Sequence, residues 1–376
     1  MNNLFKKFFG TATNFLAGGD NQNVVGIDIG SSAIKVVEIK KKGGKAVLET
    51  YGAIALGPYA GVDIGRVTNL PIEKIIEALK EVLKQSGVTT NSVVLSIPVQ
   101  SSLVFIMELL PQIKIEEMPA IVSTEARKYI PVPITEVSLD YFVLPQKEAS
   151  FEGINNSDPT VSPAEQTEVL VIAIQNDAIL KIRSIVSQCN LDASFLEMEI
   201  FSSIRSNFEH ELSPVLLIDF GASRTKLSII EFGMVKIYHT INRGASDITD
   251  SISKSLSIPF PKAEEKKQDF GLFGDPAEKS LADIIKVHID YIFGETNNVL
   301  LGYEKKYNRT ISKVIFTGGG SLLKGLREVA ESNFRAEIEI GRPFSKVGAP
   351  VFLEKVLDSA GPEFAVALGL ALRKLQ

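Results

Sequence analysis

The 376-residue sequence predicts an α/β protein built from two related halves, with a smaller α+β unit inserted in the first. Three observations carry that reading. Val24–Ile39 is a pair of apolar, strand-like runs joined by the small polar turn Gly30-Ser31-Ser32. Val215–Ile230 repeats the device, with Asp219 and Gly221 spaced as Asp28 and Gly30 are, which suggests two related domains facing each other. Around the two copies, short buried strands alternate with amphipathic helices, an order of α/β character.

The runs flanking the first turn are rich in β-branched residues and too short for a stable helix. A turn of small residues lets several backbone N–H groups point at one spot, which makes an anion nest. Lys35 adds a positive charge just past it. Asp28, just before it, suits a hydrated Mg²⁺, an ion that takes few carboxylates and keeps several waters. The hairpin therefore reads as a phosphate-plus-metal site. From this stretch alone, an ordinary hairpin with a buried Asp capping its turn reads equally well. The second copy breaks the tie, because two such turns face to face would hold a phosphate chain from both sides.

Composition bounds the class. The length suffices for two to four domains or subdomains. Hydrophobic residues make up 45% and charged residues 23%, as in ordinary globular proteins. A net charge of −5 argues against nucleic acid as a general partner. The single cysteine, Cys189, excludes an internal disulfide, fits a reducing cytosol, and is expected inside a helix as core packing. His210, His239 and His288 are scattered without zinc spacing. No apolar run reaches transmembrane length, and no signal-peptide core is present.

In chain order, residues 1–23 come first. Leu4, Phe5, Phe8 and Phe9 fall on one helical face beside Lys6 and Lys7, which suits grazing an anionic membrane; a disordered or locally packed segment fits as well. Ala46–Ala55 is a strand. Ile72, Ile75, Ile76, Leu79, Val82 and Leu83 mark a helix that stops at Gly87, and Val93–Ile97 is a buried strand. Beyond Val99 the pattern changes. Strands are expected at Leu103–Leu109, Val137–Leu144 and Glu168–Ile174. Helices are expected at Ile113–Ile130 and at Asp177–Gln188, the latter capped by Asp177. Gln146–Gln166 reads as a flexible loop. Together Val99–Asn190 forms the inserted α+β unit. Asp192–Phe208 is a strand and a helix. Gly233–Ile241 is a strand, and Arg243-Gly244-Ala245 leads into a helix. Pro259–Pro276 reads as a charged loop holding Ala263-Glu264-Glu265-Lys266-Lys267, before a long helix over Pro276–Asn308. Lys313–Thr317 is a buried strand running into Gly318-Gly319-Gly320 and then a helix, whose N-terminus suits a flat or anionic group; a tight crossover is the bland alternative. Glu363–Arg373 is a helix with Ala365, Ala367, Gly369 and Ala371, suited to close packing.

In this order the pieces resemble the actin-like ATPase superfamily of actin, sugar kinases and heat-shock chaperones, over nearly everything from Val24 to Arg373. The first hairpin looks like its phosphate-1 motif, Val215–Ile230 like phosphate-2, and Val314–Leu326 like its adenosine motif. The resemblance implies the duplicated, ribonuclease H-like actin fold, with ATP and Mg²⁺ in the cleft. It assigns Asp28 and Asp219 to Mg²⁺ through water. Gly30, Ser31, Ser32, Lys35, Gly221, Ala222, Ser223 and Gly244 would serve the nucleotide. Gly318, Gly319 and Gly320 would pack on the nucleoside. Glu264 and Lys267 would reach ribose or adenine, and Glu199 would position a catalytic water. One departure stands out. No second acid follows Asp219, and Arg224 and Lys226 stand nearby instead, which fits tight binding with at most weak hydrolysis.

The insert's position and length resemble the FtsA branch. Glu125–Tyr141, with Gly26–Lys35 and Ala367–Arg373, looks closely like the PilM family, cytoplasmic actin-like components of type IV pilus and related secretion machines. The implied domains are 24–98, 191–213 and 360–376 (first); 99–190 (insert); 214–250 and 310–359 (second); and 251–309 (its subdomain). The implied partner is the cytoplasmic N-terminal peptide of PilN, beside other inner-membrane platform proteins and assembly ATPases. The implied location is the inner face of the cytoplasmic membrane, reached through partners. The peptide would dock between the first domain and the insert, near Leu103, Phe105, Met107, Arg127 and Tyr129; each also reads as a core residue of the insert. A small-molecule kinase and an FtsA-like filament former of the same fold stand as alternatives.

Overall fold

Two five-stranded sheets of one topology organise the chain in a computed structural model, which describes residues 23–110, 113–114, 116–144, 167–209 and 211–375. In the first sheet, β1 (Asn23–Ile29), β2 (Ala33–Lys42) and β3 (Lys45–Ala55) run antiparallel. β4 (Ser92–Ile97) and β8 (Asp192–Met198) then add in parallel beyond β1, giving the order β3-β2-β1-β4-β8. The second sheet repeats this with β9 (Val215–Phe220), β10 (Thr225–Glu231), β11 (Met234–Ile241), β12 (Lys313–Thr317) and β13 (Glu337–Ile340), in the order β11-β10-β9-β12-β13. The central strands are near-continuous apolar runs because both faces are covered; all six residues of β9 are buried.

Helices cover the sheets. α1 (Ile72–Gln85) buries Ile76, Ala78, Leu79 and Val82, and Gly87 beyond its end takes a left-handed φ of 67°. α4 (Glu199–Asn207) and α10 (Ala365–Leu375) cross at very short range. A Cβ on Gly369 would lie 1.9 Å from Ser202 O, and one on Gly26 would lie 1.8 Å from Ala367 O. Beside that crossing the buried Glu197 is held by Arg205 and Arg373, each at 2.7 Å. In the second half, α5 (Ala245–Leu256), α6 (Phe260–Phe270) and α7 (Ser280–Tyr307) share one core with the sheet, built from Ile218, Phe220, Ile248, Ile252, Ala263 and Ile285. α8 (Leu326–Asn333) and α9 (Glu354–Ala360) complete it.

The insert is a three-stranded antiparallel sheet of β5 (Ser102–Leu109), β6 (Val137–Val143) and β7 (Thr167–Gln175), ordered β5-β7-β6, with α2 (Met118–Ala126) on one face. Met107, Leu109, Val122, Val169 and Val171 form a separate core under α2. The opposite face, with Val104, Leu170 and Ile172, joins the core of the first half. Glu168 ties the insert to the second half through Lys236 (3.1 Å) and Tyr307 Oη (2.8 Å).

Several expectations need correction. α3 (Asn176–Gln188) buries Ile179, Ile182 and Ile185 in the core of the first half, the core that Val104, Leu170 and Ile172 of the insert also join. Asp177 lies in the first turn of α3 and does not cap it. Asn176 there donates to Thr135 O (3.0 Å) and accepts from Ser138 Oγ (2.7 Å). The helix expected over Ile113–Ile130 is only α2. Pro119, which lacks an N–H, fits only its first turn, and short turns from Glu125 and Ala126 close its end. Pro259–Pro276 is not a loop, since α6 fills most of it. Cys189 is the half-buried C-cap of α3 rather than a helix-interior residue. The glycines do not run straight into a helix: Gly319 and Gly320 belong to a 3₁₀ turn, Gly319–Leu322, that precedes α8. The membrane-grazing reading of the N-terminal segment and the loop at 146–166 fall on residues outside those described.

Candidate functional site

A cleft of ≈ 960 Å³ opens between the two halves, lined by the turn of each hairpin, the glycines after β12, and residues of α4 and α6. Each turn closes in the same way. Gly30 N–H donates to Ala33 O at 3.0 Å, and Gly221 N–H donates to Arg224 O at 3.0 Å. The tips meet across the cleft, where Ser31 Oγ donates to Ser223 Oγ at 3.1 Å. Ser31 is held from behind, its carbonyl accepting both Thr68 N–H (2.9 Å) and Thr68 Oγ (3.1 Å). The small residues predicted at both turns, Gly30, Ser31, Ser32, Gly221, Ala222 and Ser223, all line the cleft.

The strand register repeats a charge pattern. Asp28 opposes Lys35 across β1–β2, and Asp219 opposes Lys226 across β9–β10. Directly opposed residues share a sheet face, so each pair sits together under its turn. Lys35 reaches Glu363 only at 3.9 Å. Lys226 is paired more closely: it donates to Asp219 Oδ2 at 3.0 Å and makes a close ion pair with Glu199, the first residue of α4. Burial alone would pull Lys226 below its ordinary value, but Asp219 and Glu199 outweigh that and hold it protonated. Burial raises the carboxyls of Asp28 and Glu199, against the opposing charge of Lys35 at Asp28 and of Lys226 at Glu199. Asp28 Oδ1 accepts Ser96 Oγ at 3.0 Å.

These groups decide how well the magnesium implied by the resemblance fits. Among the described residues, no three acidic, histidine or cysteine side chains are set to cage an ion directly. Asp28 and Asp219 both line the cleft, and each has one oxygen not engaged by Ser96 or Lys226, which suits an ion held through water. Asp219 Oδ2 and Glu199 Oε2 are already taken by an ammonium. A water-mediated ion therefore fits at two acids and not at three.

Beside Asp219, Gly318 has φ 81°, and a Cβ there would lie 2.6 Å from Asp219 Oδ1. A Cβ on Gly320 would lie 2.5 Å from the Phe220 ring, while Gly319 is in ordinary contact range of Glu363. All three line the cleft as predicted, and two of them also seat the strand end against the second hairpin. Glu264 and Lys267 stand one turn apart on α6 and line the cleft, but they are paired to each other at 2.7 Å. Lys267 Nζ also donates to Thr249 Oγ (2.8 Å) and Ala245 O (3.2 Å).

Three predicted residues stand differently. Gly244 does not line the cleft. Its N–H donates to Asp247 Oδ2 at 2.8 Å, and a Cβ there would lie 2.3 Å from Ala222 O, so it seats the second turn from behind. Glu199 faces the cleft with its Oε2 engaged by Lys226. Met107 is 2% exposed in the insert core and cannot line a docking groove. Of its companions, Phe105 stacks on Tyr129 at 4.8 Å, while Leu103, Arg127 and Tyr129 are exposed. Lys226, named from the sequence only as a cation near Asp219, lines the cleft as a site residue. The available signal was a lysine seven residues after the aspartate in both hairpins.

A family model described as type IV pilus assembly protein PilM matches residues 26–375. The cell division protein FtsA of Staphylococcus epidermidis is 26% identical over 357 residues, covering 85% of this chain and 74% of that protein. FtsA of Pseudomonas aeruginosa is 24% identical over 384 residues, covering 94% and 89%. Among solved structures, a PilM–PilN type IV pilus biogenesis complex matches with a TM-score of 0.77 and 25% identity, covering 94% of this chain and 98% of that one. MreB 5 of Spiroplasma citri, bound to AMPPNP, matches with a TM-score of 0.50 at 10% identity over 94% and 96%, a likeness of fold alone.

Proposed function

The chain belongs to the type IV pilus assembly PilM family, with an actin-like fold related to FtsA, and from that premise we propose that it is an ATP-binding scaffold of the inner-membrane assembly platform. The carrying observation is the matched pair of turns that meet at Ser31 and Ser223 on opposite walls of one cleft. A triphosphate chain entering there replaces a single serine contact with donors from both halves. Lys35 and Lys226 offset its charge, and Gly318–Gly320 leave room for the nucleoside. Magnesium, held through water by Asp28 and Asp219, would neutralise part of the phosphate charge when bound. With Glu199 engaged by Lys226, hydrolysis is weak and the nucleotide's role is to set the relative position of the two halves.

The partner in this reading is the cytoplasmic N-terminal peptide of PilN, by analogy with the similar PilM–PilN complex. Leu103, Tyr129 and Arg127, with Phe105 beneath Tyr129, offer an apolar strip with one cation for such a peptide. No helix among the described residues is long and apolar enough to cross a membrane, so the protein would sit at the inner face of the cytoplasmic membrane through its partner. Linkage then requires ATP and the peptide to change each other's affinity by the same factor if the two couple.

The test is an equilibrium titration with ATP on the wild type and Asp28→Ala, followed by capture on PilN N-terminal peptide with and without ATP. Saturable ATP binding lost in the variant, together with peptide capture, supports the reading. Undiminished affinity in Asp28→Ala removes the site assignment, and absence of capture in both states removes the partner.

A further inference from the structure

The end of the first sheet away from the cleft concentrates positive charge that the fold does not need. β2 finishes in Lys40-Lys41-Lys42, Gly43-Gly44 makes the turn, and β3 begins at Lys45. Lys42 and Lys45 stand directly opposite each other, a placement in which like charges repel across the strands. Residues 39–48 contain no acid, and among the described residues none of the four lysines is ion-paired. The second half supplies a control. Its β10–β11 turn has the same left-handed geometry, with Phe232 at φ 52° and Gly233 at φ 74°, against 57° and 74° at Gly43 and Gly44. Its opposed pair is Glu231 and Met234. The turn therefore forms without lysines, and the repulsion in the first copy is relieved only by something negative from outside.

Apolar surface lies nearby. Gly348 runs beside β3, its N–H donating to Ala46 O (2.8 Å) and its carbonyl accepting Leu48 N–H (2.9 Å). Val351 and Phe352 follow it by three and four residues, so they lie no more than about 14 Å from that contact. They are 84% and 81% exposed. Glu354 and Lys355 next to them cancel in charge. The chain that precedes β1 reaches the sheet at this same end, where Asn23 pairs with Lys40. Ahead of it stand Leu4, Phe5, Phe8 and Phe9 with Lys6 and Lys7.

We propose that this sheet end is a membrane-contact face: Lys40, Lys41, Lys42 and Lys45 meet the head groups of anionic phospholipid, and Val351 and Phe352 enter the interface beside them. Clustered lysines are drawn to such a surface, and exposed apolar side chains next to them sink to the boundary of head group and acyl chain. A nucleic acid or other soluble polyanion would use the lysines and gain nothing from the apolar pair. Lys35, at the phosphate-binding turn, is seven residues from Lys42 along β2. That is about 23 Å of strand, so a chain resting on lipid by this end leaves the cleft open to solution. The contact is direct, beside the one made through a partner, and does not depend on nucleotide binding.

The experiment is flotation of the whole chain with vesicles of phosphatidylcholine, alone or mixed with phosphatidylglycerol. The wild type is compared with Lys42→Gln/Lys45→Gln and Val351→Ser/Phe352→Ser. All four positions are exposed, and a thermal melt checks that each variant folds. Should one fail to fold, Lys45→Gln or Phe352→Ser alone takes its place. The wild type is expected to float with the mixed vesicles and not with neutral ones. The lysine variant is expected to lose about tenfold or more in affinity, with its melting temperature unchanged or higher because the opposed charges are gone. The apolar variant is expected to lose about tenfold. Absence of wild-type flotation with the mixed vesicles, or equal flotation with neutral ones, overturns the proposal. Undiminished binding by the lysine variant overturns it too, since the lysines then only keep the strand edge soluble and any lipid contact lies elsewhere. Loss in the lysine variant alone, with Val351→Ser/Phe352→Ser binding as the wild type does, also overturns it and leaves a charge site for a soluble polyanion.

Discussion

The two hairpins carry the same residues to the cleft in different electrostatic states. In β1–β2, Lys35 reaches a rim glutamate at 3.9 Å that is 39% exposed. In β9–β10, its counterpart Lys226 lies between Asp219 and Glu199, whose side chains are 12% and 8% exposed. Duplication therefore preserved the geometry of the turn and let the charge balance diverge. The two lysines are almost equally exposed, at 18% and 16%, but the first is loosely paired and the second is held between two buried acids.

The sharpest way to break that comparison is to remove each lysine in turn. Lys226→Met strands two buried carboxylates and is expected to cost about 3 kcal/mol of stability. Lys35→Met, which loses only a 3.9 Å contact to the partly exposed Glu363, is expected to cost under about 1 kcal/mol. Urea unfolding measures both, and equal losses would erase the distinction. The aspartates test the symmetry instead. Asp219→Ala and Asp28→Ala are each expected to weaken ATP binding by about a hundredfold, measured by the same titration. A large effect at only one of them would mean that the clamp is one-sided.

The insert is the other asymmetry, because the second half has no equivalent of it. Asp140, on β6, is pushed up to about 6 by burial, partly offset by the Tyr141 amide and the charge of Arg373. Its Oδ2 is buried without a hydrogen-bond partner among the described residues. The native state thus holds a proton that the unfolded chain releases near pH 3.8, so Asp140 lowers stability as pH rises from about 4 to about 6. Asp140→Asn is expected to remove that slope and to raise stability at pH 7 by about 1 kcal/mol after allowing for solvent screening, read from melts across the pH range. The smallest effect is at the tips. Ser31→Ala and Ser223→Ala each remove one end of the same hydrogen bond and are expected to cost about 0.5–1 kcal/mol apiece, with the double variant no worse than either alone. Additive losses would show that each serine has a separate partner.

The duplicated fold was legible because its signal is a repeated spacing. Asp28 and Gly30 recur as Asp219 and Gly221, and both turns line the cleft. Misreadings came where local composition and packing diverge. α6 reads as a loop because only a few of its positions, among them Phe260, Ala263 and Lys267, are buried on a helix otherwise full of charge. α2 was overextended because apolar residues at helical spacing continue past the point where Pro119 allows a start. Gly244 belongs to the region of the site yet acts from behind the second turn, a distinction that depends on tertiary contact and that no local pattern carries. In the sequence Lys226 reads only as a cation near Asp219, where no second acid follows. Its role depends on Glu199, 27 residues away and brought in by α4.

The crossing of α10 over β1 also bears on how the chain is made. β1 occupies residues 23–29, whereas the helix that covers Gly26 occupies 365–375. Ribosomal synthesis delivers that strand early and its cover only after both sheets have emerged. Until then, Val24 and its apolar neighbours on that face lack the side chains that bury them in the finished protein. Such long-range closure slows folding and lengthens exposure to aggregation. Truncation ahead of residue 365 would therefore leave the first half unfinished as well as shorter, and the cleft would be assembled only once translation has passed α10.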